Sequence, residues 1–290
     1  MRRLAMLFAG LLCAAAPVHV PAQVPDSGRW QELRFGAQEV GERMEDRYIE
    51  QVVDLAAAGK LDADRALLHR LRYITRELIA AAVELKPEAA SWAWEVHVAS
   101  GADVDAVCMA GGKLLVGADF VRRLALDDSE LAVLLAHEVA HAIAEHSREF
   151  LSEAQLVYRP LVPVDVVMLR LDSDLSLQLR LASLSRMQER EADQLGMVIA
   201  HRAGWPASAM PGFYRKLAEA DGGLDAGEPL IASHPSHASR ISMSRGMARL
   251  LDPDTPMLTV TCGPTEEALC RAAATPADDG VTALHRPPWP

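Results

Sequence analysis

Two histidines and a glutamate near the middle of the chain have the spacing of a metal site. His137 and His141 lie in the run SELAVLLAHEVAHAIAEHSR, which begins at Ser129. On a helix of about 3.6 residues per turn they share one face, where two imidazoles can bind one Zn²⁺. Glu138 projects roughly 100° round the axis from His137. Its carboxylate would therefore lie beside a zinc-activated water as a general base, and not on the metal.

The residues around this motif are apolar, which argues against a chance H-E-x-x-H in an exposed helix. A buried cluster of two histidines and a glutamate needs polar partners, and a metal ion supplies them. The sequence around the motif therefore favours a metal site. The apolar neighbours are Leu131, Leu134, Leu135, Val139, Ala142 and Ile143.

A second acidic segment, SRMQEREADQLG at residues 185–196, offers a third ligand. A catalytic zinc ion has three protein ligands and an open position for water, and Glu189 is a suitable third ligand. Asp193 lies one helical turn further on, where it can accept a hydrogen bond from the ring N–H of His137 and fix its tautomer. The alternative for this spacing is an exposed acidic face, and we assign Glu191 to such a face.

Four blocks of the chain together resemble the HtpX/BepA-type zinc metallopeptidases, gluzincins of peptidase metallo-family 48. Two of the blocks are HEVAH and SRMQEREADQLG. DAVCMAGGK, from Asp105, is similar to the family's N-A-F-x-x-P-G-G, and SHPSHASRI, from Ser233, to its T-H-P-x-x-x-x-R-I. The likeness covers about residues 35–250. Asp105, Val107 and Ala110 replace the family's Asn, Phe and Pro, which leaves substrate preference open, whereas the ligand positions are intact.

The resemblance implies an α+β, zincin-like fold that is mainly helical, with a small antiparallel sheet beside the H-E-x-x-H helix. It implies a zinc endopeptidase with one Zn²⁺ per chain on His137, His141 and Glu189. The expected substrates are exported, misfolded or mis-assembled envelope proteins. Two rival functions remain open: a chaperone-like binder of unfolded proteins, against which the intact Glu138 counts, and a zinc hydrolase with a narrow non-peptide substrate.

Three further residues are implicated in catalysis through the resemblance. His234 and Arg240 are candidate donors to the oxyanion of the reaction, and Tyr214 is a weaker one. His234 matches the family position from which a histidine can reach the zinc. There it would either displace the water and inhibit the enzyme, or move out and assist catalysis. Pro235 biases the backbone of His234 towards an extended conformation.

The spacing of the apolar residues and the capping residues predict the helices and strands that position the candidate site residues. Residues 92–98 alternate like a strand, and 103–109 and 113–116 complete a small antiparallel sheet in which His97 is structural. His146 lies off the ligand face of the zinc-site helix and is predicted to be exposed. The predicted helices are Ala37–Ala58, Asp62–Lys86, Ala118–Leu126, the zinc-site helix from Asp127 to about Arg148, Ala182–Ala203, Met210–Ala220 and a last helix ending near Leu251.

Residues 149–182 are apolar but interrupted by Pro160 and Pro163. Two interpretations are open for this segment. It can form core helices that link the two zinc motifs, or a mobile apolar lid over the cleft that holds unfolded chains. Apolar runs are usually buried, so the core interpretation is preferred.

The N-terminus has the pattern of a secretory leader. A basic start, an apolar stretch of 13 residues (Leu4–Ala16) and a small-residue site ending at Ala22 predict cleavage after Ala22. Leu12 is too large for a lipidation box, so lipid anchoring at Cys13 is not expected. The predicted domains are a signal peptide at 1–22, a metallopeptidase domain at 23–251 and a Pro-rich tail at 252–290.

The net charge, the cysteines and the expected compartment indicate which partners the protein can have. The formal net charge of -11 argues against nucleic acid. No later segment is apolar and long enough to span a membrane, which predicts a periplasmic protein without a transmembrane segment in its mature form. In that oxidising compartment Cys262 and Cys270 can form a disulfide, leaving Cys108 as a buried free thiol. Polypeptides are the expected partners, and the resemblance adds peripheral contact with the outer-membrane assembly machinery.

Overall fold

The computed structural model describes residues 20–101, 104–157, 162–222 and 237–253. Within these ranges helices dominate, as the apolar spacing predicts. The α-helices are α1 (Ala37–Ala57), α2 (Arg65–Leu85), α3 (Ala118–Arg123), α4 (Asp128–Ile143), α5 (His146–Val157), α6 (Val164–Ser173), α7 (Leu175–Arg202), α8 (Ala209–Ala220) and α9 (His237–Leu251). The β-strands are β1 (Val20–Gln23), β2 (Trp30–Leu33), β3 (Glu95–Ala99), β4 (Ala106–Met109) and β5 (Lys113–Gly117).

Helix α4, which carries H-E-x-x-H, is enclosed by other elements. Helices α2, α7 and α8 pack against it, and strand β4 lies beside it. Leu131, Leu135 and Ile143 of α4 have no exposed surface. A helix that is apolar on most of its circumference must be covered on most sides. The predicted architecture, mainly helical with a small sheet beside this helix, is confirmed.

The sheet differs from its predicted pairing in one respect. Strands β4 and β5 form the expected antiparallel hairpin, but β3 pairs with the other edge of β5 in parallel, so the order is β3-β5-β4. Val104, shortly before β4, lies against the end of β5 at Gly117. A Cβ atom there would lie 1.7 Å from the carbonyl oxygen of Val104. Because β5 has a parallel neighbour on one edge and an antiparallel neighbour on the other, the sheet is mixed.

The zinc-site helix ends earlier than predicted. Helix α4 stops at Ile143, and Glu145 adopts a left-handed conformation with φ of 55°. A residue with that φ interrupts the helix, so α5 starts in a new direction at His146. His146 is consequently 2% exposed, and the prediction that it is exposed is wrong.

Residues 149–182 divide between the core and the surface. Leu151 of α5, Val167 of α6 and Leu177 of α7 join an apolar cluster with Phe35 and Val40. Residues 158–161 lie outside the described ranges. The core interpretation therefore holds for the inward-facing side chains, while the outward-facing ones on α6 and α7 remain exposed. These exposed residues are Leu169, Leu175 and Leu179.

A two-stranded hairpin precedes the helices. Strands β1 and β2 pair antiparallel, in a stretch for which no strand is predicted from the sequence. Gln31 and Leu33 of β2 are buried, and β2 packs against α5. The cleavage site predicted after Ala22 falls within β1.

Candidate metal centre

Helix α4 begins with a capping box that fixes its start. The Asp127 carboxylate accepts a hydrogen bond from the Glu130 N–H at 2.9 Å, and the Glu130 carboxylate accepts one from the Asp127 N–H at 3.0 Å. His137 and His141 then share one face, and their Nε2 atoms lie 3.1 Å apart. The His141 side chain is 20% exposed and that of His137 8%, so the pair opens towards solvent on the His141 side.

Helix α7 brings Glu189 to the two histidines because it crosses α4 at Gly196. A Cβ atom at Gly196 would lie 2.8 Å from the backbone nitrogen of His137, so the crossing requires glycine. Glu189 lies about two turns before Gly196. Its Oε2 is 3.4 Å from Nε2 of His137, and its Oε1 is 3.4 Å from Nε2 of His141.

The three donor groups fit a zinc ion. Tetrahedral zinc with bonds of about 2.0–2.2 Å holds its ligand atoms about 3.3–3.6 Å apart. The donor atoms of His137, His141 and Glu189 are separated by 3.1, 3.4 and 3.4 Å, close to that requirement. In the part of the chain that the structure describes, these three residues form a cluster whose ligand atoms all lie within 4.8 Å of one another. Two imidazoles and one carboxylate leave a fourth position open.

Asp193 supports His137 from behind. Its Oδ1 lies 2.9 Å from Nδ1 of His137, which leaves Nε2 of that ring directed at the cluster. Asp193 has no exposed surface and also accepts hydrogen bonds from Arg240 at 2.6 and 2.8 Å and from the Tyr214 hydroxyl at 2.8 Å. Burial alone would raise the pKa of Asp193, but the close contact with His137 and the charge of Arg240 outweigh it and lower the pKa.

The contacts of Arg240 and Tyr214 differ from the role expected of them. Both are candidates for donating to the oxyanion, yet Nε and Nη2 of Arg240 and the hydroxyl of Tyr214 all engage Asp193. Arg240 is 4% exposed and stacks over the Tyr214 ring at 4.7 Å. The guanidinium therefore neutralises a buried carboxylate, a contact that the sequence did not indicate. His234, the other candidate donor, lies outside the described residues.

His141 has an outer partner that was not predicted from the sequence. Nδ1 of His141 lies 2.9 Å from Nδ1 of His146, and Nε2 of His146 lies 3.2 Å from Oε2 of Glu191. Glu191 is 8% exposed, so its assignment to an exposed acidic face is wrong. The break at Glu145 explains why His146 was misplaced, because a continuous helix would have directed His146 away from His141.

Residues of the N-terminal hairpin hold Glu191 in place. The Ser27 hydroxyl donates to Glu191 at 2.6 Å, and the Arg29 guanidinium donates to Glu191 at 2.8 Å and to Glu149 at 2.5 Å. Burial alone would raise the pKa of Glu191, but hydrogen bonds from His146, Arg29 and Ser27 lower it to about 2. A lone arginine in a polar lead-in carries no sequence signal of such a role.

Glu138 is next to the ligands but faces the sheet. Its Oε2 accepts a hydrogen bond from the backbone N–H of Cys108 in β4 at 3.0 Å. Burial raises the pKa of Glu138, an effect that His137 and His141 reduce. The thiol of Cys108 is buried and free, as predicted.

Two cavities flank His141. One, of about 390 Å³, lies between α1, the segment at Trp92 and the β4–β5 turn, and has charged groups including Lys113 and Arg148 in its wall. The other, of about 350 Å³, reaches both His141 and Glu189. Its wall combines charged groups, including Arg47 and Asp172, with five apolar side chains. The apolar residues are Met44, Phe150, Leu151, Met168 and Leu171.

Several predictions fall on parts of the chain that the structure does not describe. These are residues 1–19 of the predicted leader and residues 254–290 of the predicted tail, which include both Cys262 and Cys270. His97, predicted to be structural, pairs with Asp62 at 2.7 Å. None of the helices in the described ranges combines the length and the apolar character needed to cross a bilayer.

Comparison with known proteins identifies the family. The family model described as Peptidase family M48 matches residues 68–248. The chain is 27% identical over 267 residues to the beta-barrel assembly-enhancing protease of Yersinia pestis, with 86% of this chain and 52% of the relative covered. It is 33% identical over 153 residues to the mitochondrial metalloendopeptidase OMA1 of Arabidopsis thaliana, with 51% of this chain and 30% of the relative covered.

The chain thus spans about half the length, or less, of these curated relatives. The matched region includes α4, α7, α8 and most of α9. These helices supply every member of the His–Glu cluster and its support through Asp193. Both the family and the relatives' names denote peptidases. The chain belongs to peptidase family M48.

Proposed function

We propose that this chain is a zinc-dependent endopeptidase that cleaves exported, misfolded or mis-assembled envelope proteins. The observation that carries the proposal is the cluster of His137, His141 and Glu189, with donor atoms at tetrahedral spacing and Glu138 beside them. When bound there, zinc supplies Lewis-acid activation of water and polarisation of the scissile carbonyl. The family implies a metal, and this ligand set is one that zinc prefers.

We assign to Glu138 the proton transfers of peptide-bond hydrolysis. Its carboxylate takes a proton from the attacking water and then donates it to the departing amine, as a general base and acid. Burial raises the pKa of its carboxyl above the ordinary value, an effect that His137 and His141 reduce. The hydrogen bond from the Cys108 N–H holds the carboxylate between the ligand cluster and β4.

The edge of the sheet is suited to binding an extended polypeptide. Among the described residues β4 pairs with β5 alone, and on its other edge the N–H of Cys108 donates to Glu138. Main-chain hydrogen bonds to such an edge bind a substrate irrespective of its side chains. The cavity beside His141 and Glu189 has five apolar side chains in its wall, which would take the large apolar side chains that an unfolded protein exposes. Both features support an unfolded polypeptide as the substrate class.

The compartment and partners are proposed from the relatives and from the N-terminal pattern. The beta-barrel assembly-enhancing proteases among the relatives support an envelope role, with peripheral contact with the outer-membrane assembly machinery. Removal of residues 1–22 would release the chain into the periplasm, without a lipid anchor at Cys13. It would also remove most of β1, but it would leave Ser27, Arg29 and Gln31 in the mature chain. In the oxidising periplasm a Cys262–Cys270 disulfide would form within the C-terminal tail and restrict its conformations. His234 would reach the zinc and either inhibit the enzyme or assist it.

The proposal is tested with an unfolded outer-membrane protein as substrate. Wild type is expected to contain one zinc ion per chain and to cleave the substrate, and a chelator should stop cleavage. Glu138→Gln should retain zinc and fold but lose activity by a factor of about 10²–10⁴, the usual contribution of a general base. Wild-type turnover by Glu138→Gln would refute the general-base role. If wild type binds the unfolded protein without cutting it, the chaperone-like function replaces this one.

A further inference from the structure

The two ligand histidines are supported in different ways. His137 is held by Asp193 directly, at 2.9 Å. His141 has instead a histidine behind it, with its Nδ1 2.9 Å from Nδ1 of His146. Two neutral imidazoles at this distance form an N–H···N hydrogen bond only when one ring donates and the other accepts.

The ring protons of His141 and His146 can be assigned from the groups on either side of their contact, the ligand cluster and Glu191. His141 directs Nε2 at Glu189 and at His137, so Nε2 is the ligand atom and its ring proton is on Nδ1. Nδ1 of His146 must therefore accept. The proton of neutral His146 is then on Nε2, 3.2 Å from the Glu191 carboxylate that receives it. The series His141, His146, Glu191 thus has a single direction of donation.

The far end of this series is anchored outside the metal helices. Glu191 accepts from Ser27 at 2.6 Å and from Arg29 at 2.8 Å, and Arg29 is fixed in turn by Glu149. Gln31 of the same hairpin donates to the carbonyl oxygen of Ala144 at 2.9 Å. That carbonyl belongs to the end of α4, where the chain turns to place His146.

We propose that His146, Glu191 and Arg29 are positioning residues for the metal ligand His141, and that residues 27–31 of the N-terminal hairpin support the metal centre through them. The inference rests on the proposed zinc centre. An outer hydrogen-bond partner holds the ring of a ligand histidine in orientation and raises its basicity, and loss of one typically costs about 10–100-fold in metal affinity. Here the partner is a neutral imidazole, oriented by a carboxylate and by an arginine that the hairpin supplies.

The test measures Zn²⁺ dissociation constants by competition with a chromophoric chelator, on the full chain. His146→Ala removes the acceptor for Nδ1–H of His141. His146→Asn retains an acceptor oxygen near the position of Nδ1. His69→Ala, at an exposed histidine on α2, is the matched control. Circular dichroism and thermal unfolding establish that each variant is folded, and the visible spectrum of the Co²⁺-substituted form reports the ligand geometry.

We expect His146→Ala to raise the Zn²⁺ dissociation constant about 10–100-fold and to alter the Co²⁺ spectrum. His146→Asn should recover a large part of the affinity, and His69→Ala should match wild type. Folded His146→Ala with an affinity within about twofold of wild type would overturn the inference. Equal losses in the Ala and Asn variants would also overturn it, because the acceptor atom would then be irrelevant.

A second pair of variants keeps the inference testable if His146→Ala fails to fold. Glu191→Gln removes the charge that orients His146, whereas Glu153→Gln changes an exposed glutamate on α5. We expect only Glu191→Gln to weaken Zn²⁺ binding, and equal affinities in the two variants would contradict the role of Glu191. A wild-type chain that binds no Zn²⁺ would refute the proposed function itself. Wild-type binding with unaffected variants would refute only the support by His146 and Glu191.

Discussion

Asp193 is a buried carboxylate whose neighbours decide how Arg240 acts. Arg240 donates two hydrogen bonds to it and Tyr214 one, and all three side chains are buried. A guanidinium committed in this way stabilises the charge that orients His137. An oxyanion donor, in contrast, would have its N–H groups directed at the open ligand position.

Substitution of Arg240 distinguishes the two roles. Arg240→Lys keeps the charge but loses the paired geometry, so we expect a higher Zn²⁺ dissociation constant with most of kcat regained at saturating Zn²⁺. Arg240→Ala leaves Asp193 buried without its cation and should cost about 3–5 kcal/mol of stability. Tyr214→Phe should have a smaller effect on both. A large loss of kcat at saturating Zn²⁺ with unchanged affinity would instead assign Arg240 to the oxyanion.

At the scale of elements, the ligand cluster depends on how closely α7 approaches α4. Gly196 marks the crossing, where a Cβ atom would lie 2.8 Å from the nitrogen and 2.9 Å from the Cα of His137. Backbone atoms cannot move aside as a flexible side chain can, so any larger residue must push the helices apart. Glu189 is on α7 and both histidines are on α4, so this shift would also separate the ligands.

We therefore expect Gly196→Ala to destabilise the fold by about 1–3 kcal/mol, the usual cost of overpacking, and to weaken Zn²⁺ binding. Gly246→Ala is the matched control, because Gly246 is an exposed glycine in α9 and a Cβ atom added to it would have no neighbour within 4 Å. That change should stabilise the protein by about 0.5–1 kcal/mol, since alanine favours a helix over glycine. Thermal unfolding and zinc titration measure both effects. Equal stability and equal Zn²⁺ affinity in the two variants would contradict the close-crossing argument.

The attachment of the hairpin to α5 makes stability depend on pH through Glu149. Burial alone would raise the pKa of Glu149, but hydrogen bonds from Arg29 and Gln188 and the charge of Arg29 outweigh it and lower the pKa below its ordinary value of 4.5. A lowered carboxylate pKa stabilises the fold above about pH 4.5, and the contribution is lost as the pH falls through the folded-state pKa.

Glu149→Gln should therefore be less stable than wild type at neutral pH, with the difference shrinking in acid. The measurement is the unfolding temperature between about pH 6 and pH 3. Both proteins are studied with a chelator present, so that loss of metal does not contribute. Glu153→Gln, on the same helix but exposed, should follow wild type. A difference between Glu149→Gln and wild type that stays constant across this range would rule out the Glu149 contribution.

The elements also show which features the sequence could predict. The four-residue spacing of His137 and His141 predicted that they share one helix face, because helical period is a local property. The meeting of Glu189 with them depends instead on how α7 packs against α4. The left-handed Glu145, the parallel pairing of β3 and the contacts of Arg29 were not predictable in this way. Each depends on chain segments that meet only after folding, and none has a repeating pattern.

At the scale of the whole molecule, zinc would link parts of the chain that are far apart in sequence. Its ligands lie on α4 and α7, α9 contributes Arg240 to the support of His137, and the hairpin contributes Arg29 to the support of His141. An ion that binds the folded chain but not the unfolded one stabilises it by mass action. Metal removal should thus affect global stability as well as catalysis.

The expected size of this effect follows from the zinc concentration. At free Zn²⁺ about 100 times the dissociation constant, binding contributes about 2.7 kcal/mol. For a domain of this size, 1 kcal/mol corresponds to about 2–4 °C, so the Tm of the zinc form should exceed that of the chelated form by about 5–11 °C. Glu138→Gln should show the same shift, because Glu138 is beside the ligands and not among them. His141→Ala should show almost none. A wild-type Tm independent of Zn²⁺, or a shift that persists in His141→Ala, would mean that the cluster does not hold the ion that stabilises the fold.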